Sequence, residues 1–320
     1  MVDSVHIQNF KSIHDLSFKT TRINLFIGEP NTGKSNLIEG LALLSNSFDD
    51  KENFRKVLRF HAVADLFHNQ QVTNPIRVRA GERSCSLQFN EGSFEFKYSQ
   101  PGQQNARVQI NQSGNYSNWV RAPEDIRFYR FDGTAQLNYP GYGTLRTPFG
   151  GNLVTLVYTN KELRRRISDL FKTRGFRLEI KPVEMQLLLA KSVDDELYSF
   201  PYESISETWR RIIFYMALLE TNQSATLLLD EPESNTFPFY TKYLAERIAL
   251  DESNQFFITT HNPYLLGSIV EKAKMADVSV FITSMENFET KVKAVTGDKL
   301  SEIADLGSSV FFNLDKLLAA

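Results

Sequence analysis

The sequence is poor in cysteine. Its 320 residues hold one, Cys85, which excludes a disulfide scaffold and a cysteine-based zinc site within one chain. An excess of charge is also missing. Lys and Arg number 36 and Asp and Glu 38, a net charge of −2. That excludes a uniformly basic nucleic-acid coat and an acidic tail protein, so any nucleic-acid surface must be local. No apolar run approaches the ~20 residues of a membrane-spanning helix, and Met1-Val2-Asp3-Ser4 shows no basic-then-apolar leader pattern. Internal repeats, low-complexity tracts and long heptad runs are absent too. What is there is 42% apolar residues, enough for a core, and a length that suits about two domains. The chain reads as soluble, globular and cytoplasmic, with no membrane partner.

Short patterned segments set the organisation. Val5 to Phe10 alternates with period two, and Ile23 to Ile27 is an apolar run that reads as a buried strand. Apolar residues at 37, 38, 41 and 44 give Asn36 to Leu44 a helical spacing. Residues 74–133 carry short alternating runs broken by Gly, Asn and Ser, and read as antiparallel strands and hairpins. A Gly/Pro-rich loop at 139–152 follows, then a helix over Lys161 to Lys172 and strands from Phe176 to Leu189. From 204 onward helix and strand alternate three times, the pattern of an α/β unit with a mostly parallel sheet. The expected division is 1–133 (N-terminal strands, loop helix and β lobe), 134–203 (loop, basic helix and strands) and 204–320 (α/β lobe).

Three motifs carry chemistry. Gly28-Glu29-Pro30-Asn31-Thr32-Gly33-Lys34-Ser35 matches G-x-x-x-x-G-K-[ST] in full, with a strand before it and a helix after it. The glycines let successive N–H groups turn toward one anion, and the helix adds its positive end. Gly28, Asn31, Thr32, Gly33, Lys34, Ser35 and Asn36 are therefore candidate nucleotide contacts, with Lys34 on the β- and γ-phosphates and Ser35 on Mg²⁺. Ala225 to Glu231 is an apolar strand ending in two carboxylates. Asp230 is the second candidate for the Mg²⁺. Glu231 is the candidate base for an attacking water. Glu233 is either a supporting residue or merely exposed. Gln255 to Thr260 is another strand, and His261 follows it. In a parallel sheet it faces the same edge as Asp230 and Glu231, where an imidazole can hydrogen-bond a γ-phosphate or the water.

These residues resemble the ABC-type ATPase heads of the SMC, RecF and OLD group. Ile7-Gln8-Asn9-Phe10-Lys11-Ser12 is similar to their opening I-x-N-F-[RK]-S strand, Leu229 to Glu233 to LLLDEPE, and Thr259 to Pro263 to T-T-H-[SN]-P. The motifs occur in the family's order and span nearly the whole chain. The resemblance implies an α/β P-loop NTPase of ABC-ATPase-head type, with a mostly parallel core sheet flanked by helices and an antiparallel β-rich lobe. It further implies ATP and Mg²⁺ as cofactors, and ATP sandwiched between two heads in a homodimer or higher oligomer. The phosphate loop of one head would face the L-S-x-G signature of the other. Here that segment is Ile205-Ser206-Glu207-Thr208: Ser206 matches, and Thr208 stands where glycine is usual. Ser206 is then a nucleotide contact in trans, or the segment is only a capping box with Ser204 at the cap and Glu207 three residues on. Lys11 occupies the place of a basic residue near the phosphates, and is otherwise a surface lysine. Gln70 and Gln71 are candidates for the glutamine that reaches Mg²⁺ or water in such heads.

No long coiled coil separates Lys34 from Asp230, so the chain resembles short standalone heads that work beside a separate nuclease or toxin-like effector in bacterial defence. Lys161 to Lys181 holds eight basic and three acidic residues. Arg164, Arg165, Arg166 and Lys172 either track a DNA backbone or form a solvated face. Tyr139, Tyr142 and Phe149 either stack on bases or pack between lobes. Two functions stay open: an ATPase switch for DNA-linked or defence-type effectors, and a nucleotide-gated assembly subunit with little or no hydrolysis. A transporter ATPase is the weakest fit.

Overall fold

The computed structural model describes every residue except 46, 49–50, 103–105, 118, 120–124, 296–297, 315–316 and 318–320. The chain begins with a hairpin, β1 (Ser4–Phe10) and β2 (Ile13–Lys19), and enters β3 (Ile23–Gly28). A glycine-bearing loop leads to α1 (Lys34–Ala42) and α2 (Lys51–Leu58). Four strands follow: β4 (Ile76–Ala80), β5 (Arg83–Asn90), β6 (Ser93–Ser99) and β7 (Ala106–Ile110). Next come β8 (Ile126–Tyr129), α3 (Leu153–Thr159) and α4 (Lys161–Lys172), then β9 (Arg177–Lys181), β10 (Gln186–Val193) and β11 (Glu196–Pro201). The remainder alternates: α5 (Glu207–Thr221), β12 (Thr226–Asp230), α6 (Pro238–Ala249), β13 (Gln255–Thr259), α7 (Pro263–Lys272), β14 (Val278–Glu286), β15 (Glu289–Val295) and α8 (Asp298–Leu306).

The strands form three sheets. The core sheet runs β15-β14-β3-β13-β12-β8 and is parallel except for β15. The second is antiparallel, in the order β2-β1-β4-β5-β6-β7, and the third is the small antiparallel set β11-β10-β9. The core strands are buried on both faces, which explains their unbroken apolar runs. Alternate residues serve two different cores. Leu25, Leu227, Leu229, Ile258 and Val280 pack toward α3 to α7. Phe26, Leu228, Phe257 and Phe281 pack toward α1 and the antiparallel sheet, with Phe26 stacked between Phe257 and Phe281. The parallel order brings the C-terminal ends of β3, β12 and β13 to one edge.

One expectation needs correction. The stretch 74–133 is not antiparallel throughout, and its residues 103–105, 118 and 120–124 lie outside the described set. Its last strand, β8, joins the core sheet parallel to β12, with Leu229 opposite Tyr129. Arg127 interrupts the apolar run there; its guanidinium is absorbed by a hydrogen bond to Asn222. The loop at 139–152 is as expected, and α3, which the sequence pattern did not predict, follows it with Leu153, Val154, Leu156 and Val157 buried.

Candidate functional site

Two glycines fix the phosphate loop by what a side chain would strike. A Cβ on Gly28 (φ +150°) would meet the Thr283 carbonyl and hydroxyl oxygens at 2.4 Å. A Cβ on Gly33 (φ +90°) would lie 1.9 Å from Thr290 Oγ1 and 2.8 Å from Ser12 Oγ. Gly33 is the cap of α1, so the helix opens with its free N–H groups around the loop. Thr32 accepts or donates at Thr283 Oγ1 (2.6 Å) and donates to Glu29 O (2.8 Å). Asn36 donates to Ser12 Oγ (2.8 Å). Asn31, exposed at the loop's turn, adopts φ 63°. Lys34 folds back and donates to Gly28 O (3.0 Å) and Glu29 O (2.6 Å). Burial pushes its pKa down to about 8, against the pull of Glu231 and Asp230.

The acidic strand end lies across from this loop. Ser35 Oγ donates to Asp230 Oδ1 at 2.9 Å, and Thr259 Oγ1 donates to the same oxygen at 2.8 Å. A hydroxyl and a carboxylate at this spacing are hard oxygen donors suited to Mg²⁺, which takes few protein ligands and completes its shell with phosphate and water. Among the described residues no cluster of three His, Cys, Asp or Glu that could hold a metal ion is formed. Glu231 adopts φ 46°, and its N–H is held by Thr259 O (3.2 Å) and Thr259 Oγ1 (3.0 Å). That turn presents its half-exposed carboxylate to His261 Nε2 at 3.2 Å, with Ser234 donating to the other oxygen at 3.1 Å. The His261 contact is the main reason its pKa falls below the usual glutamate value, so Glu231 is ionised at neutral pH.

Glu233 is neither exposed nor solvated. It is 5% exposed. Oε1 accepts from Thr260 Oγ1 at 2.5 Å, while Oε2 has no hydrogen-bond partner among the described residues. Burial raises its pKa to about 7. Thr260 in turn accepts from Asn262 N–H (2.9 Å), and Asn262 caps α7. Glu233 thus supports the backbone on either side of His261.

The other expected residues are scattered. Lys11 does not reach the phosphate loop. Its ammonium sits 2.5 Å from Glu39 Oε2 and 2.5 Å from Leu58 O, inside a buried ion pair. Gln70 donates to Asp65 Oδ1 (3.0 Å), and both Gln70 and Gln71 are exposed on a turn after α2. The side chain that the fold does bring to Asp230 is Arg130, just past β8, whose Nη2 donates to Oδ2 at 2.9 Å. No local pattern marks it, because the β8–β12 pairing joins residues a hundred positions apart. Ser206 is exposed and caps α5, accepting from Trp209 N–H at 3.4 Å. The Ser204–Glu207 capping box does not form: Glu207 accepts from Arg211 and Asn235 instead. Thr208 Oγ1 donates to Asn235 O (3.0 Å), tying α5 to the loop after Glu231.

The basic stretch is largely self-neutralised. Arg165 and Arg166 share Glu162; Arg165 also reaches Asp169 at 3.6 Å and Arg166 reaches Glu220 at 3.2 Å. Arg164 donates to Tyr158 O. Phe149 is partly buried and packs against the core beneath the antiparallel sheet, Tyr139 lies under Arg146 (4.2 Å), and Tyr142 is exposed.

Known proteins share parts of this sequence and its fold. Residues 1–117 match the AAA ATPase domain family. Residues 155–267 match an AAA domain family whose description names the AbiEii toxin and a type IV toxin–antitoxin system. A 60-residue stretch, 18% of the chain, is 35% identical to an uncharacterized protein of Methanocaldococcus jannaschii and spans 27% of its length. Two solved folds are similar along nearly their whole length. An Smc head bound to the C-winged helix domain of ScpA gives a TM-score of 0.54 at 13% identity, covering 93% of this chain and 99% of that one. An Smc head with an extended coiled coil, bound to the C-terminal domain of ScpA derived from Pyrococcus furiosus, gives 0.51 at 12% identity, covering 95% and 98%.

Proposed function

We infer that this chain, an ATP-binding ATPase head of the SMC and RecF type, hydrolyses ATP in a seam between two copies and works as a nucleotide-driven switch. The observation that carries this reading is the ionised Glu231, 3.2 Å from His261 and one residue past an Asp230 already held by Ser35 of the phosphate loop. A protein that only held nucleotide would gain nothing from an ionised carboxylate and an imidazole poised at that edge.

Each residue has a distinct task. The N-terminus of α1 and the loop N–H groups bind phosphate oxygens. Lys34 leaves Gly28 O and Glu29 O for the β- and γ-phosphates. Glu231 accepts a proton from the attacking water as its oxygen bonds to the γ-phosphorus. The bond to the bridging oxygen breaks, and ADP leaves with that electron pair. His261 orients the water or a γ-phosphate oxygen and is itself aligned by Glu231. Mg²⁺, when bound through Ser35 and Asp230, supplies charge neutralisation on the phosphates. Ser206, exposed at the cap of α5, would complete the site of the opposite copy. The AbiEii and toxin–antitoxin description of the family matched by residues 155–267 supports a place in a toxin-like or defence module; a separate effector and a cytoplasmic location are part of the proposal. The basic helix gives DNA contact little support, because Arg165 and Arg166 are already paired.

The alternative, nucleotide-gated assembly with little hydrolysis, is favoured by Thr208. Its bond to Asn235 O holds a bulkier residue where the family places glycine. Phosphate release under multiple turnover separates the two. Switching predicts turnover in wild type and an ATP-bound oligomer that persists in Glu231→Gln. ATP-driven assembly without phosphate release from wild type selects the gate. A chain that stays monomeric with Mg–ATP in both forms removes both readings.

A further inference from the structure

Behind the phosphate loop lies a charged network that the steps above do not use. Glu39 of α1 is fully buried, and three cations surround it: Lys11 at 2.5 Å, Arg59, and Arg130 at 3.7 Å. Arg130 also donates to Asp230 Oδ2 at 2.9 Å and to Lys56 O of α2 at 3.2 Å. Its backbone N–H is pinned to Pro148 O (3.1 Å), and its guanidinium lies 5.2 Å over the Phe128 ring. The side chain therefore has two carboxylates within reach of one anchored backbone. Asp230 is the acid suited to Mg²⁺, and Arg130 covers one of its two oxygens while Ser35 and Thr259 hold the other. A guanidinium stays charged at every working pH, so it cannot yield this place by losing a proton.

We propose that Arg130 is a resident counter-ion for Asp230 that moves to Glu39 when the nucleotide site is loaded. The proposal rests on the ATP-site reading above and concerns what the loaded site displaces. Arg130 cannot keep close contact with Asp230 when a divalent charge shares that carboxylate, because like charges at a few ångströms in a half-buried site repel strongly. Glu39 accepts Arg130 in exchange. Arg59 then yields first: its side chain is 48% exposed, whereas that of Lys11 is only 14% exposed and also holds Leu58 O. Arg59 and Leu58 close the C-terminal end of α2, so loading of the site is felt as a loosening of α2, with no contact between α2 and nucleotide.

The test measures binding, apart from turnover. Mn²⁺ affinity is read by electron paramagnetic resonance for wild type, R130M and R130K, first with Mn²⁺ alone and then with a non-hydrolysable ATP analogue. Removal of the competing charge should tighten Mn²⁺ binding about tenfold in R130M. R130K should stay near wild type, and R130M/D230N should lose the gain. Equal or weaker Mn²⁺ binding by R130M overturns the proposal. R130Q replaces R130M in the same comparison if the methionine variant does not fold. Hydrogen exchange gives an independent reading: residues 55–60 should exchange faster on loading in wild type but not in R130M, which has no guanidinium to displace Arg59 from Glu39. Unchanged exchange on loading in wild type also overturns the proposal. If no variant takes up the ATP analogue, the ATP-site reading fails, and the titration with Mn²⁺ alone still decides whether Arg130 competes at Asp230.

Discussion

Glu233 shows how a residue outside the reaction can still set the site. Its carboxyl is buried with one oxygen unpartnered among the described residues, and burial raises its pKa to about 7 from an ordinary value of 4.5. Between those two values the folded chain binds a proton that the unfolded chain has released. Stability from this group is therefore complete below about 4.5 and is lost as pH rises through about 7. Glu233→Gln keeps an acceptor for Thr260 and removes the titration. Its melting temperature relative to wild type should climb as pH goes from 5 to 8; a difference that stays flat across that range would show that Glu233 remains charged in the fold. Gly33 makes a steric prediction. Gly33→Ala forces a Cβ to within 1.9 Å of Thr290 Oγ1 at φ +90°, at a cost of about 1–3 kcal/mol for the backbone alone. Chemical denaturation should read that loss, and ATP affinity should fall with it. The loop, Asp230, Glu231 and His261 were legible in the sequence because each is announced by its immediate neighbours. Arg130 and Glu39 were not, since their meaning depends on partners 100 and 28 positions away.

At the scale of elements, α1 is held at both ends by chemistry of opposite kinds. Its N-terminus offers bare N–H groups to an anion. Five residues past its first residue, Lys34, it carries Glu39, whose two oxygens are occupied by Lys11 of the β1–β2 turn and Arg59 after α2. Burial lowers the pKa of Lys11 even though Glu39 opposes that shift, so the pair is maintained by its mutual contact. Glu39→Ala leaves three cations facing each other around a cavity. Truncating one partner of such a buried pair costs about 3–5 kcal/mol, which a urea titration would register as a much earlier midpoint; a midpoint near wild type would mean that Arg130 and Asp230 alone hold this corner. The sequence pattern predicted α1, α4 and the alternating C-terminal half from periodicity. It misassigned β8, because four residues interrupted by Arg127 do not show on their own that they lie beside β12. It passed over α3 because glycine and proline dominate the loop before it.

The whole molecule poses the question of where Ser206 acts. As a cap it serves α5 of its own chain, and Ser206→Ala alone would then cost about 1 kcal/mol through the lost bond to Trp209 N–H. As a trans contact it belongs to the other copy's nucleotide, and the two roles separate by mixing. If the heads close in the proposed two-fold dimer, each site would take its phosphate loop from one copy and its α5 cap from the other. Lys34→Ala disables the first contribution and Ser206→Arg the second, so either variant alone has no complete site. A mixed pair has one site in which both contributions are defective and one in which both are intact. Random pairing of equal amounts makes half the dimers mixed, so mixing should restore about a quarter of wild-type phosphate release. Recovery of that size, dependent on total protein concentration, places Ser206 at the opposite copy's nucleotide. No recovery, from a mixture shown by light scattering to dimerise, confines Ser206 to capping and leaves the seam to residues nearer Glu231.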